Sequence, residues 1–193
     1  MSRPILVVDL EATCWNDRKT TVDDMDIIEF GCVIADDNGN ILDDFGTLVR
    51  PSLNPTLSDF CTRLTTITQS NVDNAPPYPD ACRLIDEWLD GREKGLIWGS
   101  WGGYDLNQIR AEQARHAIAP KFLGCPHVNL KKLWAKSMGL RPMGMRRAIE
   151  HSGFTVDGTH HRGIDDARNI SRLVPSISRD LINAAVHRAR ANP

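Results

Sequence analysis

The stretch Ile5-Leu6-Val7-Val8-Asp9-Leu10-Glu11 decides how the rest of this chain is interpreted. Its four leading apolar residues predict a buried β-strand. Side chains two residues apart in a strand share one face, so Asp9 and Glu11 lie side by side where the strand ends. Two carboxylates beside an apolar core raise each other's pKa, and a divalent cation with hard oxygen ligands would relieve that conflict. A strand that simply emerges into solvent would explain the same pair, so the later acidic residues must decide between the two interpretations.

The composition is that of an ordinary globular domain. A chain of 193 residues can bury a substantial core within one domain, and its 41% hydrophobic and 25% charged residues are typical of a soluble globule. No apolar run approaches the roughly 20 residues that span a bilayer, and the N-terminal residues lack the apolar segment of a signal peptide. The five scattered cysteines form no Cys-x-x-Cys pair. We therefore expect a cytoplasmic protein with free thiols, no zinc knuckle and no membrane contact.

Charge is distributed unevenly along the chain. Residues 1–100 contain 18 Asp and Glu against 8 Lys and Arg, whereas residues 101–193 contain 7 against 15. An acidic cluster facing a basic surface would suit a metal-dependent enzyme that acts on a polyanion. Charge counts alone favour the simpler interpretation, in which the two halves interleave and form a mixed surface.

Hydrophobic periodicity predicts one mixed α/β domain in which the first strands precede alternating helices and strands. Strands are predicted over 4–9, 27–35 and 41–49, and the turn signal Asn38-Gly39 makes them an antiparallel meander. Two shorter strands, at 95–98 and 128–130, complete a mixed five-stranded sheet. Helices are predicted over 58–64, 68–72, 79–89, 105–116, the segment that ends near 138, 144–151, 163–174 and 179–190.

The helix predicted to start at Gly163 carries a carboxylate on its inward face. Ile170 and Leu173 lie four and seven residues beyond Asp166, so Asp166 shares their core-facing stripe. A carboxylate on such a face is rare without a partner, and a metal shared with Asp9 and Glu11 would supply one. The predicted solvent face carries the other polar residues: Asp165, Arg168, Asn169 and Arg172.

Two further side chains are candidates for the same centre. His161 lies on the loop before this helix, and an imidazole with a near-neutral pKa can deprotonate water. His160 is expected to be a surface or capping residue. Asp105 follows the fourth strand, and taken alone it is better explained as a helix N-cap. The complete set favours Mg²⁺ or Mn²⁺ over zinc, and two such ions about 4 Å apart would clamp the oxygens of a phosphodiester being cleaved.

At this point the chain resembles the DEDDh 3′–5′ exonucleases, whose three motifs correspond to Asp9-x-Glu11, Asp105 and His161-x-x-x-x-Asp166. The resemblance is closer to the Eri-type exoribonuclease branch, which includes the histone-mRNA 3′ exonuclease and KapD-like bacterial relatives. Proofreading members carry His-Asn where Ser100-Trp101 stands here. The resemblance to the Eri-type branch rests on the following segments: Asp9-Leu10-Glu11-Ala12-Thr13-Cys14, Ile27-Ile28-Glu29-Phe30, Leu57-Ser58-Asp59-Phe60-Cys61, Leu64-Thr65-x-Ile67-Thr68-Gln69, Ser100-Trp101-Gly102 and Asp165-Asp166-Ala167-Arg168-Asn169-Ile170.

The resemblance implies a fold and an activity. The fold is a single-domain ribonuclease H-like α/β domain over residues 1–193, with a core at about 4–175 and a C-terminal helix at 179–190. The activity is hydrolysis from the 3′ end of single-stranded RNA, with release of 5′-mononucleotides and with two Mg²⁺ or Mn²⁺ ions per site. Two alternatives stay open: a single-stranded DNA exonuclease of the same mechanism, and a nucleic-acid-binding regulator with a vestigial nuclease. The complete acidic set argues against the second.

The resemblance also implies a role for each site residue. Asp9, Glu11 and Asp166 would hold one ion directly, and Asp9 would reach the second. Asp105 would contribute through water, and His161 would be the general base. The free 3′ end would be bound by a pocket that the resemblance places at Glu11, Ala12 and Thr13.

Overall fold

A single mixed sheet organises the computed structural model, which describes residues 4–16 and 20–191. Strands β1 (Ile5–Ala12), β2 (Ile27–Ala35) and β3 (Ile41–Leu48) form an antiparallel meander. Strands β4 (Ile97–Ser100) and β5 (His127–Asn129) run parallel to β1, which gives the order β3-β2-β1-β4-β5. The predicted mixed five-stranded sheet is confirmed.

Eight α-helices surround the sheet within the described residues. Their bounds are α1 (Asp59–Thr65), α2 (Gln69–Asp73), α3 (Tyr78–Leu89), α4 (Tyr104–His116), α5 (Leu130–Met138), α6 (Met145–His151), α7 (Gly163–Ser171) and α8 (Arg179–Ala191). None of the helices found there is long and apolar enough to cross a membrane.

Most elements lie within one or two residues of their predicted bounds, and β4 is shifted from 95–98 to Ile97–Ser100. Three other differences have a clear local reason. β1 continues to Ala12, because β2 pairs with it beyond Asp9 and through Glu11. Leu130 begins α5 instead of ending β5, because the Asn129 side chain accepts a hydrogen bond from the Lys132 N–H and so caps the helix. α7 ends at Ser171, and a 3-10 turn follows around Pro175.

The two faces of the sheet bury separate hydrophobic clusters. Ile5 and Val7 of β1 pack in a cluster with residues of α5, α6, α7 and α8. Leu6 and Val8 point the other way, into a cluster formed with α3 and α4. Because strand side chains alternate, Asp9 and Glu11 continue the face of Val7, which is the face that α7 covers. This alternation is what brings the acidic pair of β1 under α7.

Two glycines allow α7 to approach the sheet closely. A Cβ atom placed on Gly31 of β2 would lie 2.0 Å from the backbone carbon of Gly163, the first residue of α7. A Cβ atom on Gly163 would lie 2.9 Å from the backbone oxygen of Asp9. The start of α7 therefore rests on the backbones of β1 and β2, and no side chain larger than hydrogen fits between them.

We expect Gly31→Ala to destabilise the fold, because the added methyl meets backbone atoms that cannot rotate away. Overpacking of this kind costs about 3 kcal/mol in the free energy of unfolding, which urea denaturation would measure. Gly46→Ala on β3 is the matched control, since its nearest neighbour would be the Cβ atom of Ile164 at 3.4 Å, an ordinary contact. Equal stability of the two variants would contradict this account of how α7 is seated.

Candidate active site

Three carboxylates from two distant segments meet where α7 crosses β1. Asp9 and Glu11 extend from β1, and Asp166 extends from the first turn of α7. One ligand oxygen from each lies within 4.8 Å of the others. Glu11 and Asp166 are 8% and 5% exposed, so their negative charges are held largely out of water.

Burial and mutual repulsion make this cluster reluctant to ionise. Burial, followed by repulsion from Asp105 and Glu11, raises the pKa of Asp9 well above its ordinary value. Burial and then repulsion from Asp166 raise the pKa of Glu11 to about 8. Burial also raises the pKa of Asp166. A cation among these oxygens would reverse the effect, and three oxygen donors with no sulfur match the preference of Mg²⁺ or Mn²⁺.

Asp105 lies beside this cluster, in the first turn of α4. It is not the N-cap, which is Gly103. Its carboxylate oxygen accepts the backbone N–H of Leu10 at 3.2 Å, so it contacts the strand between the two acidic residues of β1. Burial raises the pKa of Asp105 to about 6, and its hydrogen bonds partly oppose the effect. Among the described residues, Asp105 is outside the group of three whose oxygens lie within 4.8 Å.

His161 reaches the cluster from the loop before α7. Its backbone adopts a left-handed conformation with φ of 65°, which few non-glycine residues do. Its N–H donates to the Asp166 carboxylate at 3.1 Å, and its ring Nδ1 lies 4.0 Å from Glu11 Oε1. Burial and the neighbouring His160 lower the pKa of His161. Its imidazole is therefore neutral at pH 7, the form that can accept a proton.

His160 is closer to the carboxylates than the sequence predicted. Its Nδ1 lies 3.0 and 3.1 Å from the two carboxylate oxygens of Asp166, and its ring stacks on that of His161 with centroids 4.0 Å apart. The prediction of a surface or capping residue did not include this contact, although the side chain is still 32% exposed. The left-handed turn at His161 explains the difference, because it directs two consecutive side chains toward the same carboxylate.

An ion pair between half-buried Arg162 and buried Glu29, missed by sequence reasoning, fixes the loop that carries His161. The Arg162 guanidinium contacts both oxygens of Glu29, with its shortest contact at 2.7 Å, and Glu29 also accepts the Gly163 N–H at 2.8 Å. Glu29 is 3% exposed and pairs with Glu11 across β1 and β2. The available signal was a lone glutamate within the apolar run 27–35, since buried charges are rarely unpaired.

The three residues predicted to bind the 3′ end form the end of β1 and the residue after it. Glu11, Ala12 and Thr13 are all buried. The Thr13 hydroxyl accepts the backbone N–H of Asp26 at 2.9 Å, and the Thr13 N–H donates to the Asp26 carbonyl at 2.8 Å. The hydroxyl oxygen and the backbone N–H of Thr13 therefore both bond to Asp26 within the protein.

The predicted solvent face of α7 needs a correction. Asn169 is fully buried, and its side chain donates to the carbonyls of Asp157 and Asp165. The carboxylate of Asp165 accepts the Thr159 N–H at 2.9 Å and pairs with Arg168, so it holds the loop that precedes the helix. The prediction placed Asn169 on the solvent face. In a helix, however, a residue three positions beyond Asp166 lies only about 60° around the axis from it, which is close to the buried face.

The comparisons with known proteins agree with this geometry. A family model described as exonuclease, RNase_T, matches residues 6–174. The 3'-5' exonuclease eri1 of Schizosaccharomyces pombe is 31% identical and covers 89% of this chain. The 3'-5' exoribonuclease 1 of Mus musculus is 32% identical and covers 91%. The chain spans 67% of the yeast protein, 53% of the mouse protein and 27% of ERI1 exoribonuclease 2 of Xenopus laevis.

Solved structures have the same fold. The nuclease domain of 3'hExo, a DEDDh family member bound to rAMP, superimposes with a TM-score of 0.81 at 28% identity and covers 90% of each chain. The 3'-exonuclease whose structure describes 3'-end specific recognition of a histone mRNA stem-loop gives a TM-score of 0.82 at 26% identity. That superposition covers 96% of this chain and 84% of that one. The chain therefore belongs to the RNase_T exonuclease family, as its sequence motifs indicated.

Proposed function

We propose that this chain is a metal-dependent 3′–5′ exonuclease that hydrolyses RNA from its 3′ end and releases 5′-mononucleotides. The observation that carries the proposal is the meeting of Asp9, Glu11 and Asp166 within 4.8 Å, with the imidazole of His161 beside them. Membership of the exonuclease family supports the reaction, and the relatives of this chain include exoribonucleases.

The proposed metal site combines two carboxylates of β1 with one of α7 and one of α4. Asp9, Glu11 and Asp166 would hold one divalent ion, Asp9 would also serve a second, and Asp105 would act through water. When bound, Mg²⁺ or Mn²⁺ would neutralise the charge that develops on the phosphate during hydrolysis. The protein's own contribution is to hold the carboxylates in place before substrate arrives, because β1 and α7 are fixed by backbone contact.

His161 is assigned as the general base. Its neutral ring accepts the proton of the attacking water as the phosphodiester bond is cleaved. Three contacts orient the ring. The backbone N–H of His161 donates to Asp166, and the next residue, Arg162, is held by Glu29. The ring of His160 stacks on the ring of His161. This support limits the movement of the ring without using the ring nitrogens of His161 itself.

The substrate is assigned from the position of the site. We place the 3′-terminal nucleotide beside Glu11, Ala12 and Thr13, where β1 ends and the chain leaves the sheet. A pocket at this end would admit a free single-stranded terminus and would explain exonucleolytic attack. We assign RNA and not DNA as the substrate, because Ser100-Trp101 follows the pattern of the Eri-type exoribonuclease branch.

The chain is assigned to one domain and to one cellular compartment. We assign residues 1–193 to one exonuclease domain, because Ile182 and Val186 of α8 belong to the same hydrophobic cluster as Val7 of β1. Five free cysteines support a reducing compartment, and we propose the cytoplasm.

Product analysis tests the activity. RNA labelled at its 5′ end should yield a ladder that shortens from the 3′ end, and RNA labelled at its 3′ end should release a labelled 5′-mononucleotide at once. Chelation with EDTA should abolish both signals, and Mg²⁺ or Mn²⁺ should restore them. Ca²⁺ should bind but support little turnover, because its coordination is larger and looser.

Three outcomes of that experiment would change the proposal. DNA of matched sequence separates the two substrates, and faster hydrolysis of DNA would replace RNA in the proposal. Full hydrolysis in excess EDTA would exclude the metal site. Binding of RNA without any hydrolysis in Mg²⁺ or Mn²⁺ would favour the regulator instead.

Asp166→Asn should lower turnover by about 10²–10³-fold, the usual cost of removing one preorganised electrostatic group. It should also reduce the rise in melting temperature that saturating Mn²⁺ gives the wild type, because a ligand that binds only the folded state stabilises it. Asp165→Asn is the matched control. Its asparagine keeps one oxygen to accept the Thr159 N–H, so both turnover and the Mn²⁺ response should change little. Equal loss in the two variants would place the metal site elsewhere.

His161→Ala should lower turnover by roughly 10²–10⁴-fold, as expected for a lost general base, while the Mn²⁺-dependent rise in melting temperature persists. His160→Ala should have a smaller effect, because the His161 N–H still holds Asp166 when the His160 ring is removed. Single-turnover rates at saturating RNA would separate turnover from binding. If His160→Ala is inactive and His161→Ala is active, the base is His160 and the motif is displaced by one residue.

A further inference from the structure

Two thiols that the proposed mechanism does not use lie together behind the end of β1. Cys14 follows Thr13 and is half-buried, and Cys61 is fully buried near the start of α1. Cys14 packs against the hydrophobic cluster that contains Cys61. The two residues are 47 positions apart in the chain, so the fold and not the local sequence brings them together.

Hydrogen bonds connect the two cysteines through both backbone and sulfur. The Ser58 hydroxyl donates to the Cys14 carbonyl at 2.5 Å and accepts the Cys61 N–H at 3.0 Å. The Cys61 sulfur also contacts the Ala12 carbonyl at 3.6 Å. The Cys14 side chain packs against the cluster that contains Cys61. The two thiol-bearing side chains are therefore neighbours in the reduced protein.

The proximity of the two thiols gives one of the two sulfurs thiolate character. Hydrogen bonding from Cys14 lowers the pKa of Cys61 to about 7, and the same bond raises the pKa of Cys14. Cys61 is therefore the sulfur with thiolate character at neutral pH. It can accept the proton of Cys14 as the more accessible Cys14 sulfur attacks an oxidant.

We propose that Cys14 and Cys61 form a reversible disulfide, and that its formation lowers nuclease activity. The second half of this inference rests on the proposed function. With glutathione disulfide as oxidant, the Cys14 thiol passes its proton to Cys61 as its sulfur attacks one sulfur of the oxidant, the S–S bond breaks and a glutathione thiolate leaves. Cys61 then attacks the Cys14 sulfur of the mixed disulfide, and a second glutathione leaves. The protein loses two electrons and two protons, and glutathione disulfide gains both to become two glutathione thiols.

The effect on activity follows from what lies between the two sulfurs and the site. A disulfide requires an S–S separation of about 2.05 Å, so the sulfurs must move closer together than they lie in the reduced protein. It also removes the Cys61 S–H group, which donates a hydrogen bond to the Ala12 carbonyl in the thiol form. Ala12 and Thr13 connect Cys14 directly to Glu11, so a shift of Cys14 moves the end of β1. A displacement of about 1 Å at such a site lowers turnover by up to roughly a hundredfold.

The test treats the full chain with glutathione disulfide, blocks the remaining thiols and identifies cross-linked peptides by mass spectrometry without reduction. We expect a peptide joining Cys14 to Cys61, a fall in RNA hydrolysis of about tenfold to a hundredfold, and recovery of both with dithiothreitol. The melting temperature should not fall, because a cross-link restricts the unfolded chain. Each variant is compared with its own reduced form.

Cys14→Ser should abolish both the cross-link and the loss of activity, whereas Cys125→Ser should retain both. Cys125 is the matched control because it is also half-buried, and its sulfur contacts the Glu93 carbonyl and not another thiol. A glutathione adduct that remains on Cys14, or the absence of a cross-link between Cys14 and Cys61, would overturn the disulfide. A cross-link without loss of activity would overturn its effect on the site. A reduced protein with no nuclease activity would instead contradict the proposed function, and the peptide map would still decide whether the disulfide forms.

Discussion

The close approach of Gly163 to Gly31 is the constraint on which the site depends. Asp9 and Glu11 are fixed by β1, but Asp166 is 155 residues beyond Glu11 and reaches them only because α7 begins directly on the backbone of the sheet. If larger side chains separated α7 from the sheet, Asp166 would be carried away from Asp9 and Glu11. Glycine at this contact is therefore a requirement of the chemistry as well as of the packing.

Glu29 and Glu11 lie where α7 packs on the sheet, but their charges are compensated differently. Glu29 and Glu11 are paired across neighbouring strands, yet Glu29 has an arginine and a backbone N–H as partners. Glu11 Oε1 lies 4.0 Å from the imidazole Nδ1 of His161, a ring that is neutral at pH 7. Glu29 is therefore satisfied by the protein, whereas burial and repulsion raise the pKa of Glu11 to about 8 and disfavour its ionisation. A divalent cation would stabilise the ionised carboxylates, so the cluster favours the binding of a cation.

Local periodicity predicted the elements and the carboxylates, and it could not predict how distant segments meet. Alternation along β1 placed Asp9 and Glu11 on one face, and the phase of α7 placed Asp166 inward, both as the structure shows. The bond between Arg162 and Glu29 joins residues 133 positions apart, and no helical or strand period relates them. The contact of His160 with Asp166 depends on a single left-handed residue, which sequence gives no reason to expect at a histidine.

That left-handed residue is held in place partly by the salt bridge beside the site. A non-glycine residue with φ of 65° is held in a sparsely populated conformation and persists only when its surroundings enforce it. Asp166 holds the N–H of His161, and Glu29 holds the next side chain and the N–H after that. Such an ion pair adds little stability by itself, since the desolvation of Glu29 offsets much of the attraction. Its value here is geometric, because it keeps the imidazole of His161 turned toward the carboxylates while the rest of the loop stays half-exposed.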